Sequence, residues 1–328
     1  MKLKASISYM DYYIPPNKVS VDEVLELNKD TIMDTNISFE QYKQDFKEQS
    51  GIKRVSVFAQ DADIIGQVSQ MMDKLFKTTN INASEIKYLV CGNPVLIGDN
   101  ISIIHYIHKK FSLDNATILP LAQPCISSLM AIGMADKLLN SNEKEYMLIV
   151  SGNMYLDKKS RYLGFTVIGD GLSIVLVKNK PGYINIESWK SSYGSMSYEK
   201  VEKRDRGEEL FLTKSKIIRN GASFLGKCIK EMDISKEEMD IIIHPNTFYN
   251  VWHDLYSSLL QLDSSKFYLD NLWDGGHIND IDYVRNLKDY LEHYKGSKEN
   301  LNVLLFGIHL DYTSDMNYHF ISLDVKTH

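Results

Sequence analysis

From Ala116 to Asn140 the chain reads Ala-Thr-Ile-Leu-Pro-Leu-Ala-Gln-Pro-Cys-Ile-Ser-Ser-Leu-Met-Ala-Ile-Gly-Met-Ala-Asp-Lys-Leu-Leu-Asn. The apolar run Ala116–Leu121 predicts a buried strand, and Met130, Met134, Leu138 and Leu139 then recur at helical spacing. Small residues at Ser127, Ser128, Ala131, Gly133 and Ala135 let that helix lie close to other backbone, which places it centrally. Cys125 falls where the strand becomes the helix. A thiol there feels the unpaired N–H groups and positive end of the helix dipole, which favour the nucleophilic thiolate. A structural, buried cysteine would present the same local pattern.

A chain of 328 residues is long enough for two fused domains and a large core. The 44% hydrophobic and 24% charged content is that of a soluble globular protein, and a net charge of -6 gives no support for nucleic-acid binding. No apolar run approaches the roughly 18 residues that a membrane span needs, and Met1-Lys-Leu-Lys-Ala-Ser lacks a signal-peptide core. Cys91, Cys125 and Cys228, odd in number and widely spaced, fit a reducing cytoplasm and form neither a disulfide framework nor a zinc-ligand cluster.

The order of elements repeats. Ser20 or Asp22 caps a first helix through Leu27, and a helix over Asp61–Thr78 leads into the acidic cap and strand Asn82–Pro94. A helix over Lys214–Met232 leads into a similar cap and strand, Ile234–Asn246. Glu145–Gly152 and Leu301–Gly307 form a second such pair, each an apolar strand ending in Gly after a helix. Two similar α/β halves, residues 1–178 and 179–328, are therefore expected. Gly169-Asp-Gly171 lies between the apolar runs Phe165–Ile168 and Leu172–Val177 and predicts a hairpin turn. The polar, aromatic segment Glu187–Glu209 predicts a surface stretch or lid. Phe165, Tyr193, Tyr198 and Phe211 are candidates to line a pocket or to pack in the core.

A nucleophilic cysteine needs a partner that moves protons or stabilises charge, and nine histidines supply candidates. His244 ends the apolar strand Met239–Ile243, where α/β proteins place site residues. His277 sits in the Gly-rich turn Trp273-Asp-Gly-Gly-His-Ile-Asn279, and His309 follows the strand end at Gly307. His105 and His108 share one helical segment with Ile101, Ile103, Ile104 and Ile107 and read as partly buried or interface residues rather than metal ligands.

Taken in order, Tyr12-Tyr-Ile-Pro-Pro, Ser50-Gly-Ile-Lys-Arg, the elbow ending Gln123-Pro-Cys125, Ile168-Gly-Asp-Gly171, the strand ending at His244 and the turn Gly275-Gly-His277 resemble the β-ketoacyl-acyl-carrier-protein synthase III group of the thiolase superfamily. The resemblance runs over nearly the whole chain. It implies a duplicated five-layered αβαβα fold, a homodimer, and a buried site where the halves meet. A Cys-His-Asn triad performs acyl transfer and decarboxylative condensation in that family. Carried over, Cys125 accepts an acyl group from a thioester, His244 hydrogen-bonds the thioester carbonyl of the extender, and backbone N–H groups at Cys125, Gly307 and Ile308 form the oxyanion hole. The family Asn aligns with His277, giving a Cys-His-His set, or with Asn279 if the turn is shifted by two.

The departures from the pattern carry information too. A Trp and an Arg that hold the coenzyme A adenine in typical members fall at Asp45 and Gln49, and an Arg beyond the family His becomes Tyr249. The resemblance thus implies acyl-coenzyme A or a phosphopantetheine-carried acyl group as substrate, with the carrier protein favoured as donor. Lys214, Lys216 and Arg219 would dock an acidic acyl carrier protein, or form a solvated helical face. The C-terminal loop reads Phe306-Gly-Ile-His-Leu-Asp311, with Ile308 and His309 in place of family glycines. These features point to an acyltransferase or condensing enzyme of specialised metabolism. The alternatives are a non-catalytic partner subunit of a heteromeric complex and a cysteine hydrolase.

Overall fold

The computed structural model describes residues 5–32, 37–93, 96–97, 101–121, 123–140, 144–154, 157–193, 216–310 and 316–327. Nine strands form its main sheet: β1 (Ser6–Tyr13), β2 (Ile86–Asn93), β3 (Thr117–Pro120), β4 (Tyr146–Asn153), β5 (Gly171–Lys178), β6 (Ile184–Tyr193), β7 (Met239–Ile243), β8 (Asn300–Leu310) and β9 (Met316–Lys326). Their order across the sheet is β7-β8-β9-β6-β1-β5-β4-β2-β3.

Pairing shows the repeat. In the first half β2 runs parallel to β4, β4 antiparallel to β5, and β5 antiparallel to β1. In the second, β7 runs parallel to β8, β8 antiparallel to β9, and β9 antiparallel to β6. The two series meet where β1 and β6 pair antiparallel through Ser6–Asn185 and Ile7–Ile184, as a pseudo-two-fold requires. The sequence echoes fall on equivalent strands: Asn82–Pro94 and Ile234–Asn246 supply β2 and β7, and Glu145–Gly152 and Leu301–Gly307 supply β4 and β8.

Alternation along the strands sets the layers. In β4, Met147 and Ile149 face one core while Leu148 and Val150 face another; in β8, Leu301, Val303 and Leu305 separate in the same way from Leu304 and Phe306. The inner faces of both halves enclose α3 (Ser127–Leu138) and α5 (Ile281–His293), through Leu129, Ala131, Ile132, Ala135, Tyr283, Val284 and Leu287. Outside the first half lie α1 (Ile64–Thr79) and α2 (Ile103–Lys110); outside the second lie α4 (Gly221–Glu231) and the helical turns of Val251–Leu260. The result is five layers, αβαβα, each fully buried Leu or Ile adding roughly 1.5–3 kcal/mol. The small residues of α3 have the expected purpose, since a Cβ on Gly133 would come within 2.9 Å of the Trp189 ring.

Local expectations met the structure unevenly. Ser20 caps Val21–Leu27, its Oγ accepting from the Glu23 N–H at 3.1 Å. The strand expected as buried at Ala116–Leu121 is β3, an edge strand with only β2 beside it, so its faces are half-exposed to exposed. Glu187–Tyr193 is no lid but the latter part of β6, whose polar residues sit on a partly exposed strand paired with β9; residues 194–209 lie outside the described residues, as do Tyr198 and Phe211. The lone hairpin predicted at Gly169–Gly171 is absent. Val167 and Ile168 make only isolated bridges, because the backbone of this segment bonds elsewhere: the Gly169 N–H donates to His277 O at 2.9 Å and the Asp170 N–H to Ser56 O at 2.8 Å. A Cβ on Gly169 would meet Gly275 O at 2.3 Å, so the segment presses on the His277 turn.

An ion pair fixes that segment. Both Arg161 guanidinium Nη atoms reach the Asp170 carboxylate at 2.8 Å, with side chains 3% and 1% exposed, and Asp170 also accepts from the Phe58 N–H at 2.8 Å. Removing one partner leaves the other charge buried. Arg161→Met is expected to lower unfolding free energy by about 3–5 kcal/mol, read as a shift in the urea midpoint; an unshifted midpoint would show that the pair anchors nothing.

Candidate active site

The elbow holding Cys125 is built by Ser127. Its Oγ donates to Gln123 O at 2.7 Å and accepts from the Gln123 N–H at 3.2 Å, while the N–H groups of Ile126 and Ser127 both donate to Gln123 O at 2.9 Å. The half-buried Cys125 thus stands at the mouth of α3. The helix end is not open, however. Asp280 Oδ2 accepts from the Ser128 N–H at 3.0 Å and from the Ser151 hydroxyl at 2.7 Å. Burial pushes this carboxyl up to about 7, against both hydrogen bonds. Helix polarity alone is therefore not what acidifies the thiol.

Imidazoles acidify it. Burial raises the Cys125 thiol, and hydrogen bonds and charge from His277 and His309 outweigh that and bring it down to about 6. His277 is fully buried, yet its Nδ1–H donates to Asp282 Oδ2 at 2.6 Å; burial opposes its charge, and the Asp282 carboxylate and Cys125 hold it well above the usual imidazole range. With Nδ1 engaged by Asp282, Nε2 is the ring atom left for sulfur. Asp282 is itself held by the Ile278 N–H at 3.0 Å, the Asn246 N–H at 2.8 Å and Asn246 Nδ2 at 3.2 Å.

Asn279 touches the sulfur as well, with Cys125 Sγ 3.4 Å from its Oδ1. A chain of amides fixes which atom faces the thiol. Asn153 Nδ2 donates to Gly169 O at 2.6 Å, so Asn153 Oδ1 accepts from Asn279 Nδ2 at 2.7 Å, and Asn279 is left with its carbonyl toward Cys125. Asn279 therefore presents its carbonyl, not its amide N–H, to the sulfur. Of the two positions that fit the family Asn, His277 is the one that turns a donor toward the sulfur.

His244 stands at the end of β7, as expected, with its ring fully buried. Its ring stacks on Trp252 with centroids 4.3 Å apart, beside Phe267 at 6.0 Å. Its Nδ1 lies 3.0 Å from Pro245 O, a carbonyl that only accepts, so Nδ1 carries the proton and Nε2 is a bare acceptor. Burial brings its pKa down to about 3, so it stays neutral. A ring in that state offers Nε2 as an acceptor, and this atom has no protein partner among the described residues. The imidazole that joins His277 at the thiol is instead His309. It shares a face of β8 with Leu305 and Gly307, a period-2 relation visible in the sequence once Gly307 is placed there.

The proposed oxyanion backbone also lies at this mouth. A Cβ on Gly307 would meet Leu129 Cδ1 at 2.7 Å and Ile126 Cγ2 at 2.8 Å, so β8 approaches the first turn of α3 with no room for a side chain. The register of β7 against β8 ends at Ile243–Leu305, which leaves that edge of β8 without a β7 partner from Phe306 onward. Ile308 turns its side chain outward, into the core with Phe306. Of the cationic cluster proposed for docking, Lys214 and the Lys216 side chain lie outside the described residues, and Arg219 is exposed on the π-helical turn Lys216–Asn220. His105 is exposed, and His108 Nε2 lies 3.3 Å from Ala116 O. Among the described residues no cluster suits a metal ion, and no helix is long and apolar enough to cross a membrane.

No family model matches the sequence, and no curated protein matches it significantly. Solved structures do resemble it. An OleA variant from Xanthomonas campestris superposes with a TM-score of 0.75 at 15% identity, covering 98% of this chain and 99% of that one. The 3-oxoacyl-(acyl carrier protein) synthase III of Xanthomonas oryzae gives 0.75 at 14%, covering 98% and 100%, and ChlB3, described as an acyltransferase, gives 0.73 at 15%, covering 99% and 98%. The chain has the thiolase fold, as its sequence resemblance implied.

The acidity of Cys125 is open to measurement. Alkylation by iodoacetamide, followed by intact mass across a pH series, is expected to be half-maximal near pH 6, against ~8.5 for a free cysteine. Above that midpoint the thiolate dominates and the rate levels off; below it the rate falls. His277→Ala removes a cationic partner and is expected to raise the midpoint by more than ~1 unit. An unmoved midpoint would take from His277 its place as the activating group.

Proposed function

We propose that the protein is a cysteine-dependent acyltransferase or condensing enzyme of the β-ketoacyl synthase III-like kind, acting on an acyl thioester in specialised metabolism. The observation that carries this reading is the pair formed by a thiol of depressed pKa and an imidazole of raised pKa, braced by Asp282, at the mouth of a central helix. In the reaction the Cys125 thiolate attacks the thioester carbonyl carbon, a C–S bond forms, and the carbonyl electron pair moves to oxygen. Collapse expels the donor thiolate, which takes the proton from His277 Nε2. The acyl group then passes from Cys125 to an acceptor, forming a C–C, C–O or C–N bond. His244 packs against Trp252 in this scheme and gives the thioester no proton.

Thioester chemistry is supported by the neighbours: an OleA variant has been solved with bound lauric acid and lauroyl-CoA, and a synthase III is among the structures of like fold. The donor is proposed to ride on acyl carrier protein or coenzyme A, the carrier docking near exposed Arg219, and the working form is proposed to be a cytoplasmic homodimer.

Intact-protein mass spectrometry with a panel of acyl thioesters, on coenzyme A and on carrier protein, tests the reading. The wild type is expected to gain one acyl mass, Cys125→Ala none, and His277→Ala to acylate ~10²–10⁴-fold more slowly. A wild type that takes up no acyl group from any member would point to a non-catalytic partner subunit instead, and free acid without condensed product would point to a hydrolase.

A further inference from the structure

Tyr283 lies in the first turn of α5 and is 2% exposed. A Cβ built on Gly307 would be 3.2 Å from its hydroxyl, and the other two atoms crowding that position, Leu129 Cδ1 and Ile126 Cγ2, belong to the turn that follows Cys125. The phenol oxygen accepts a hydrogen bond from the Ile308 backbone N–H and feels the Cys125 charge. That bond uses the oxygen as acceptor and leaves the hydroxyl proton with no acceptor among the described residues. A phenol proton buried to this extent without an acceptor is costly, and phenylalanine would fill the same space without that cost. The hydroxyl is thus poised for a group that the protein itself does not supply.

We propose that the Tyr283 O–H is an oxyanion-hole donor, acting with the Cys125 backbone N–H on the thioester oxygen that becomes negative when the thiolate adds. This rests on the acyl-transfer reading above and assigns it a catalytic residue. Burial, with the charges of Cys125 and Asp282, holds the phenol well above its ordinary range, so it keeps its proton at any working pH and remains a donor. It also explains how the site tolerates bulk where the related family has glycines. Ile308 turns its side chain into the outer core, and the hydroxyl reaches the oxyanion position from α5 instead of from a glycine-rich backbone loop.

Tyr283→Phe removes one oxygen and keeps the packed ring, and two reactions of the same sulfur separate its role from that of the thiol. Alkylation by iodoacetamide is a displacement at carbon that develops no oxyanion; acylation by p-nitrophenyl butyrate develops one whatever the natural donor is. Tyr283→Phe is expected to leave the alkylation rate and its pH midpoint unchanged and to slow p-nitrophenyl acylation ~10²-fold. Equal acylation rates in variant and wild type would overturn the proposal, and so would a parallel fall in alkylation, which would mean that the phenol acts on the thiol. A wild type acylated by the activated ester but by no thioester would count against the proposed function while still reading the Tyr283 effect.

Discussion

The carboxylate of Asp282 is the constraint on which the site depends. It is buried with no opposing Lys or Arg among the described residues, and such a charge survives only when its lone pairs are filled. Here the Ile278 and Asn246 N–H groups, Asn246 Nδ2 and His277 Nδ1 fill them. Each donor is also a structural instruction. Ile278 sets the turn entering α5, Asn246 pins the chain just after β7, and His277 becomes the cation that draws a proton off Cys125. One carboxylate thereby couples the second half of the duplicated fold to the acidity of a residue in the first.

The same face of α5 continues the theme. Asn286 donates to His244 O at 3.1 Å and to Asn246 Oδ1 at 2.9 Å, and Asp289 accepts from Asn271 Nδ2 at 2.8 Å and from the Tyr12 hydroxyl at 2.6 Å. Positions 282, 286 and 289 fall on one helical stripe, so a row of buried polar groups runs down the central layer from the site toward β1. Such a network holds its members in place only if nearly all of its groups are satisfied. Beside that network the Tyr283 hydroxyl proton and His244 Nε2 are left without protein partners among the described residues, as are Asp280 Oδ1 and His309 Nδ1.

Much of this was legible in the sequence, for physical reasons. Strand alternation and helical spacing are local, and they gave the duplicated layers, the elbow at Cys125 and the pairing of β2 with β7 as equivalents. His277 was legible through a Gly-rich turn between recognisable elements. What escaped depended on partners distant in the chain. His244 occupies the expected strand end, but the sequence holds no sign that Trp252 covers its ring or that its proton faces Pro245. Asn279 and His277 compete for one role on spacing alone, and only the amide chain from Gly169 through Asn153 decides which atom faces sulfur. Gly169-Asp-Gly171 resembled a hairpin because turn chemistry is local, whereas its hydrogen bonds to Ser56 and His277 are not. Tyr283 gave no signal, since an aromatic on an apolar helix face reads as core.

The separation along the chain between Cys125 and the two imidazoles has a consequence during synthesis. His277 and His309 belong to the later half, and His309 lies on the penultimate strand of the main sheet. Until that strand is laid between β7 and β9, the emerging polypeptide carries a sulfhydryl of ordinary acidity. The depressed thiol pKa therefore depends on completion of the tertiary structure, because both imidazoles that lower it come from the later half.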